Sequence, residues 1–364
     1  MKREKRFLKL TLALTLGCGL GFASCSSDHS TDEIINEVEF PPSYADQIIN
    51  QIQNAVVEPA DPEVHSPYIS KVFDFLPAVG QFTNKLPPYV KGDTHADMVR
   101  KAEEQIKGPK PKGMISLGGF GGYVVFGFDH AVPNKKGFRD FRILANAFWA
   151  AANPNGEASA RGGSCEPGAI MVSYDLNKNG LPDDPWFEIA GSEQKRSISN
   201  YKITYHKPDP DKEAVKDSDR GYATDVEYIQ WEDNKGGKGF KEKNQFHNQS
   251  YYPEWVEKEE LSFTGRLLPK NAIDESGVGN YWVLYSFSYG YADNAPNNDD
   301  ESAIDIDWAV DSKGNPVHLP AIHFVKVYTG VNQEAGWLGE TSTEVSGAYD
   351  LHLKGEVIPT RKLK

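Results

Sequence analysis

The sequence predicts a mainly β protein, in which a β-sandwich or jelly-roll-like domain follows a small, partly helical N-terminal region. Several short segments after residue 113 are rich in β-branched and aromatic residues, as strands are. Clusters of Gly, Pro and Asn separate these segments and have the composition of loops. The chain has no internal repeat, which disfavours a propeller.

Residues 1–24 have the pattern of a lipoprotein signal peptide. Lys-Arg-Glu-Lys-Arg precedes an apolar run from Phe7 to Ala23. The run leads into Phe-Ala-Ser-Cys, which resembles a lipobox, so we expect lipid attachment at Cys25. An ordinary cleaved signal is the alternative. Residues 25–42 begin polar and acidic and predict a flexible tether. This segment resembles the tether of surface-exported lipoproteins of the Bacteroidetes, which implies a protein at the cell surface, anchored in the outer membrane.

The composition limits the partners of the mature chain. Removing the signal peptide takes away five basic residues and one acidic residue, which changes the formal net charge from −13 to −17. A surface this acidic argues against nucleic acid and against anionic membrane surfaces. No other apolar run reaches the ~20 residues that span a bilayer, so contact with the membrane is predicted only through the lipid. Cys165 is then the one remaining cysteine, and burial is favoured over catalysis.

Residues 43–112 form the predicted N-terminal region with two helices. The first begins with Ser43 as N-cap and places apolar residues on one face from Ala45 to Val56. The second begins at a cap formed by Asp93-Thr94 and ends at Ile106, before Gly-Pro.

Residues 113–364 form the predicted β-domain. Gly118–Gly122 lacks the Lys-Ser/Thr of a phosphate-binding loop and predicts a tight turn or a close backbone approach. The clearest strands are Tyr123–Phe128, Ile170–Tyr174, Leu261–Leu268, Tyr281–Tyr289 and Ile322–Tyr328.

The segment Asp-Leu-Asn-Lys-Asn-Gly-Leu-Pro-Asp-Asp, beginning at residue 175, predicts a calcium loop. Oxygen-bearing side chains alternate along it, a glycine allows the tight turn, and one main-chain carbonyl completes the set. Trp186 stands where an EF-hand has its glutamate, and Glu188 is the nearest replacement. A polar turn without metal is the alternative. The predicted ligands are Asp175, Asn177, Asn179, the Leu181 carbonyl, Asp183 and Glu188.

Two further stretches contain side chains that could bind a ligand or a metal but do not match a recognisable motif. The acidic region from Asp293 to Asp311 is interpreted as a solvated loop followed by a strand. The irregular stretch Phe246–Trp255 combines aromatic and hydrogen-bonding groups, and its candidate ligand-binding residues are Tyr251, Tyr252 and Trp255. Ordinary packing of these aromatics is the alternative. His130 and His247 have no partner at ligand spacing, so neither predicts a metal site, and no catalytic nucleophile motif is present.

Several long stretches of the chain resemble a family of Bacteroidetes cell-surface lipoproteins associated with vitamin B12 (cobalamin) capture. The resemblance spans about residues 77–353 and is carried by Ile115–His130, Asn179–Glu193, Phe246–Trp255, Tyr291–Asn294, Ile306–Asp311 and Gly339–Val345. It implies a non-enzymatic protein that binds cobalamin or a related corrinoid and hands it to a TonB-dependent outer-membrane transporter. Composition and spacing alone lead only to an exported, β-rich binding protein. A glycan-binding surface lipoprotein is the main alternative, and a glycoside hydrolase is a third.

Overall fold

The computed structural model describes residues 42–150 and 161–360. The predicted signal peptide, Cys25 and the tether up to residue 41 lie outside these residues. The prediction of a mainly β protein is confirmed. Helices are α1 (Pro42–Gln53), α2 (His95–Ile106) and α3 (Leu351–Lys354). Strands are β1 (Lys71–Leu76), β2 (Ile115–Ser116), β3 (Tyr123–Pro133), β4 (Phe141–Leu144), β5 (Phe148–Trp149), β6 (Gly162–Ser164), β7 (Gly168–Ser173), β8 (Trp186–Ile189), β9 (Ile198–His206), β10 (Ala223–Asp233), β11 (Lys238–Asn244), β12 (Glu260–Leu267), β13 (Ala272–Asp274), β14 (Trp282–Tyr285), β15 (Ala303–Ile304), β16 (Ala309–Val310), β17 (Ala321–Thr329), β18 (Glu344–Val345) and β19 (Gly347–Asp350).

Over the described ranges the strands divide among five sheets. The largest has the order β1-β3-β17-β7-β8-β16, and all of its neighbouring strands are antiparallel. The others are β11-β10-β9-β12, β13-β14-β6-β5, β15-β4-β19 and the pair β18-β2. Four sheets have three or more strands, which suggests a propeller-like division more than the two facing layers of a jelly roll.

The β11-β10-β9-β12 sheet has Greek-key order. Three strands follow one another through β9, β10 and β11, and the fourth, β12, returns to pair with β9. The loop after β9 and the segment between β11 and β12 form a cleft, described below.

The N-terminal helices and strands belong to the same core as the rest of the chain. β1 pairs directly with β3, so the predicted boundary at residue 113 does not separate two packed bodies. Ile52 of α1 and Met98 of α2 are fully buried in one apolar cluster with Val124 and Val325 of the central sheet. The Pro-rich composition of residues 58–92 does not predict this packing, because short irregular segments show no hydrophobic periodicity even when they are buried in a core.

Helix α2 follows its prediction closely. The Thr94 side chain accepts a hydrogen bond from the Asp97 amide, and the Asp97 carboxylate accepts one from the Thr94 amide, which makes a capping box. The helix ends at Ile106 as predicted. Helix α1 differs at its start, because it begins at Pro42 and Ser43 is therefore not its N-cap. Val56 lies beyond its end and is exposed.

The Gly118–Gly122 segment is the predicted tight turn between β2 and β3. A Cβ on Gly122 would collide with the Leu117 carbonyl oxygen and the Ala78 amide, so a side chain cannot be accommodated there. Gly118 and Gly121 have φ angles of 65° and 88°, in the region that glycine favours.

One predicted strand is shorter than its sequence pattern suggests. The alternation from residue 281 predicted a strand to Tyr289, but β14 ends at Tyr285. The Asn294 side chain bonds both main-chain groups of Phe287, at 2.7 Å each, in place of a neighbouring strand. A side chain seven residues away has thus replaced the sheet as hydrogen-bonding partner.

Candidate ligand cleft and calcium loop

A cleft of about 690 Å³ lies beside β10 and β11. One wall is the loop that follows β9, and the other is the segment from residue 248 to residue 256. The volume is in the range of pockets that bind small molecules. Residues that line it include Lys207, Lys212, Asp225, Tyr228, Lys243 and Tyr252.

The loop after β9 is fixed to β10 by hydrogen bonds. The Asp225 carboxylate accepts from the Val215 amide at 3.1 Å, and the Lys212 ammonium donates to the Glu227 carbonyl at 2.9 Å. The Val226 amide donates to the Val215 carbonyl at 2.8 Å. These bonds give the first wall of the cleft a defined position although the loop has no regular structure.

The second wall is held by the N-terminal region. The Asn84 side chain donates to the carbonyls of Ser250 and Tyr252, at 2.8 Å each, and accepts from the Glu254 amide at 3.0 Å. The Gly80 amide donates to the Tyr251 carbonyl at 2.9 Å. The N-terminal region, for which the sequence analysis predicted no function, therefore helps to shape the cleft.

Lysine and tyrosine side chains line the cleft together with the carboxylates of Asp209, Asp225 and Glu254. The Lys243 ammonium lies 4.7 Å from the centre of the Tyr228 ring, and the Lys207 ammonium lies 5.9 Å from that of Tyr252. Burial lowers the pKa of Lys243 and raises the pKa of Tyr228. Hydrogen-bond donors beside an aromatic face suit a ligand with apolar surface and peripheral carbonyl or phosphate oxygens.

The three predicted ligand-binding aromatics are placed differently from the prediction. Tyr251 is 1% exposed, and its hydroxyl donates to the His247 carbonyl at 3.3 Å. Tyr252 borders the cleft but is 2% exposed, and its hydroxyl donates to the Lys258 carbonyl at 2.6 Å. Trp255 is half-buried against the main core beside Tyr89. The stretch thus builds the wall, and Tyr251 has no surface to offer a ligand.

The predicted calcium loop has its oxygen-bearing side chains gathered together. Asp175 accepts from the amides of Asn179 at 3.1 Å and Gly180 at 2.9 Å. Asp183 accepts from the side-chain amides of Asn177 at 3.0 Å and Asn179 at 2.8 Å. Lys178 and Gly180 have φ angles of 57° and 73°, which closes the turn.

The donor set of this loop fits a calcium ion. Carboxylate and amide oxygens at alternating positions are the ligands that Ca²⁺ prefers, and the loop brings four of them into a few residues. Such an ion would brace the connection between β7 and β8 rather than take part in a reaction. Calcium binding itself remains a proposal.

Glu188, the sixth predicted ligand, is engaged elsewhere. It lies on β8, paired with Met171 and Val310, and its carboxylate forms an ion pair with Arg266. Arg266 also donates to the Ser197 hydroxyl at 3.0 Å. Because this carboxylate already has its counter-ion, we remove Glu188 from the predicted calcium ligands.

Sequence reasoning missed a cluster of buried carboxylates formed by Glu166, Asp293 and Glu344. One oxygen of each lies within 4.8 Å of the others. Burial and the neighbouring carboxylates raise the pKa of Glu166 and Asp293, and burial raises that of Glu344 to about 7. None of the three lines the cleft, and they are closer together than the ~5 Å or more of a glycosidase pair.

No sequence pattern predicts this cluster, because its three members are far apart in the chain. Asp293 was interpreted as part of a solvated loop, which is wrong for this residue and for Asp305, since both are buried. Asp293 also has a φ angle of 52°, unusual for a residue other than glycine. The adjacent Cys165 is buried, as predicted, and burial raises the pKa of its thiol.

No family model and no curated protein matches the chain. Within residues 42–150 and 161–360, none of the helices combines the length and apolar character needed to cross a bilayer.

Proposed function

We propose that this protein is a lipoprotein of the outer membrane, carried at the cell surface by a lipid on Cys25, that binds cobalamin or a related corrinoid. In this proposal the protein is a binder without catalytic activity, and it hands its ligand to a TonB-dependent transporter. A jelly-roll-like scaffold is part of the proposal, and the Greek-key order of β11-β10-β9-β12 supports it.

One observation carries the assignment of the site. Phe246–Trp255, one of the stretches that resemble the cobalamin-capture lipoproteins, includes most of one wall of the cleft of about 690 Å³. A resemblance that fell only on the core would indicate shared folding. A resemblance that falls on the wall of a cleft supports shared binding.

The chemistry of the cleft is compatible with a corrinoid. Such a ligand has an apolar ring edge, many amide side chains and a phosphate. Lys207, Lys212 and Lys243 can donate to amide carbonyls and phosphate oxygens, and the Tyr228 ring offers apolar contact. A corrinoid is larger than the cleft, so part of it would remain outside and be available to the transporter.

The alternatives predict different surfaces. A glycan-binding protein needs an exposed aromatic platform, whereas in this stretch Tyr251 and Tyr252 are buried and Phe246, at 58%, is exposed as a single ring. A glycosidase needs two carboxyl groups facing each other across a cleft. The binding measurement below separates a corrinoid binder from a glycan binder.

Calorimetric titration of the purified protein with cyanocobalamin tests the proposal. We expect binding in the micromolar range or tighter. Lys243→Ala removes a charge-assisted hydrogen bond worth about 1.5–3 kcal/mol, so affinity should fall at least about tenfold. Lys202→Ala, on an exposed position of β9, is the matched control and should leave affinity unchanged. A polysaccharide panel is titrated in parallel.

The outcomes are distinguishable. Absence of heat with cyanocobalamin at tens of micromolar, with a signal from a polysaccharide, would replace the corrinoid by a glycan. Tight cobalamin binding unaffected by Lys243→Ala and Tyr228→Ala would keep the function and move the site elsewhere. Tyr251→Ala cannot serve as a contact probe, because truncating a buried aromatic costs about 3–5 kcal/mol of stability.

A further inference from the structure

A cluster of two histidines and one aspartate lies where the segment before β1 meets β3. The Asp129 Oδ1 atom is 2.8 Å from His130 Nδ1 and 3.5 Å from His65 Nδ1. All three ligand atoms lie within 4.8 Å of one another. No metal site was predicted at His130, because the sequence has no metal-binding residue at ligand spacing from it. The fold brings His65, which precedes β1 in the chain, next to His130.

A buried carboxylate fixes the orientation of His130. Its Nε2 atom lies 3.0 Å from Asp350 Oδ2, and Asp350 is 1% exposed. Asp350 is itself held by the amides of His352 and Leu353, which donate to its other oxygen at 2.7 and 3.1 Å. Because a carboxylate only accepts, both ring nitrogens donate in the metal-free protein, Nε2 to Asp350 and Nδ1 to Asp129. The bond to the buried Asp350 holds the ring so that Nδ1 faces Asp129 and His65.

This is the arrangement found around protein-bound zinc. Metal-binding histidines generally donate their second ring nitrogen to a carboxylate or carbonyl, which orients the ring. Tetrahedral zinc holds nitrogen and oxygen ligands at ~2.0–2.1 Å, which places the ligands ~3.3 Å from one another. Two observed separations, 2.8 and 3.5 Å, lie on either side of that value, and the two histidine nitrogens lie within 4.8 Å of each other, so an ion would draw the three side chains together.

The cluster is accessible from one side only. The His130 side chain is 3% exposed, whereas those of His65 and Asp129 are 32% and 39% exposed. An ion held by these three groups would therefore keep one coordination position facing solvent. Zinc sites with three protein ligands commonly fill that position with water or with an exogenous ligand.

We infer that His65, Asp129 and His130 form a Zn²⁺ site with an open fourth position, oriented by Asp350. Two imidazoles and one carboxylate favour zinc over calcium, which prefers oxygen alone. The site is separate from the 175–184 loop and independent of the corrinoid proposal. Binding displaces the proton on His130 Nδ1 to solvent and ties the segment before β1 to β3.

Calorimetric titration of tag-free purified protein with ZnCl₂ is the test. We expect one equivalent to bind at micromolar concentration or below. His65→Ala and Asp129→Asn each remove one ligand and should abolish this equivalent. Asp350→Asn should weaken it about 10–100-fold without removing a ligand. His318→Ala, which breaks an exposed His–Asp pair of 3.1 Å, is the matched control and should bind like the wild type.

Two further measurements keep the test decisive. Thermal unfolding of each metal-free variant verifies folding, and Asp129→Asn, at the most exposed of the three side chains, is the variant least affected by packing. Replacement by Co²⁺ should give visible absorption bands of a four-coordinate site in the wild type and not in Asp129→Asn. The inference would be overturned if no zinc bound at a 100-fold molar excess of ZnCl₂ over protein. Equal zinc binding by the wild type, His65→Ala and Asp129→Asn would also overturn it.

Discussion

Removing one carboxylate from the predicted calcium loop gives the sharpest test of a sequence-derived site. Asp175 accepts two main-chain amides, from Asn179 and Gly180, and stands at the first ligand position. Asp175→Asn keeps the shape of the side chain and one acceptor oxygen but removes the charge. We expect the variant to lose its response to calcium.

The magnitude follows from the donor set. Without Glu188 the loop has carboxylates only at Asp175 and Asp183, fewer than a high-affinity EF-hand, so we expect a Kd of about 10⁻⁴–10⁻³ M. A concentration about 10–100 times Kd stabilises the folded state by about 1.4–2.7 kcal/mol. For a chain of this size, that raises Tm by roughly 2–4 °C.

The assay is thermal unfolding of metal-depleted protein with and without 10 mM CaCl₂, a concentration chosen to be roughly 10–100 times the expected Kd. Asp175→Asn also loses one hydrogen bond, worth ~1 kcal/mol, so the calcium-induced difference is compared within each variant. Asp311→Asn is the matched control, because Asp311 accepts the amides of Lys313 and Asn315 in a similar turn. A wild type without a shift, or an equal shift in Asp175→Asn, would refute the calcium assignment.

The remaining predictions concern the buried carboxylates and the lipid anchor. The pKa of Glu344 is raised by burial from its ordinary 4.5 to about 7, so ionisation opposes folding and stability falls as pH rises through this window. Glu344→Gln should therefore be more stable than wild type at pH 8, by up to about 3 kcal/mol, and similar to it at pH 4; urea unfolding at both values checks this, and equal stability at pH 8 would contradict it. Cys25→Ser should abolish incorporation of a labelled fatty acid, and equal labelling of the variant would reject Cys25 as the anchor.

Features governed by near neighbours were predictable from sequence. Thr94 and Asp97 are three residues apart and form their capping box within one turn, so α2 was located correctly. β3 and β17 have dense runs of β-branched and aromatic residues that favour extended structure whatever their neighbours. The oxygens of the 175–184 loop converge because turn geometry over ten residues requires it.

Features governed by distant partners were not predictable. Tyr251, Tyr252 and Trp255 were selected for their chemistry, but whether an aromatic is a contact surface or a core residue depends on what covers it. Glu188 was a reasonable calcium ligand until the fold placed Arg266 beside it. β14 stopped short because Asn294 took the hydrogen bonds of Phe287. In each case the group that decides the outcome is not among the residues from which the prediction was made.

The sequence by itself determined the mainly β composition of the fold, the α2 helix, the strongest strands and the shape of the 175–184 loop, because steric and hydrogen-bonding preferences within a few residues set them. The tertiary structure alone decided the positions of the cleft, the three buried carboxylates and the His65–Asp129–His130 cluster. Each of these joins segments far apart in the chain. Their chemistry arises from proximity and burial, which raise pKa values and orient rings, and neither quantity exists until the core has formed.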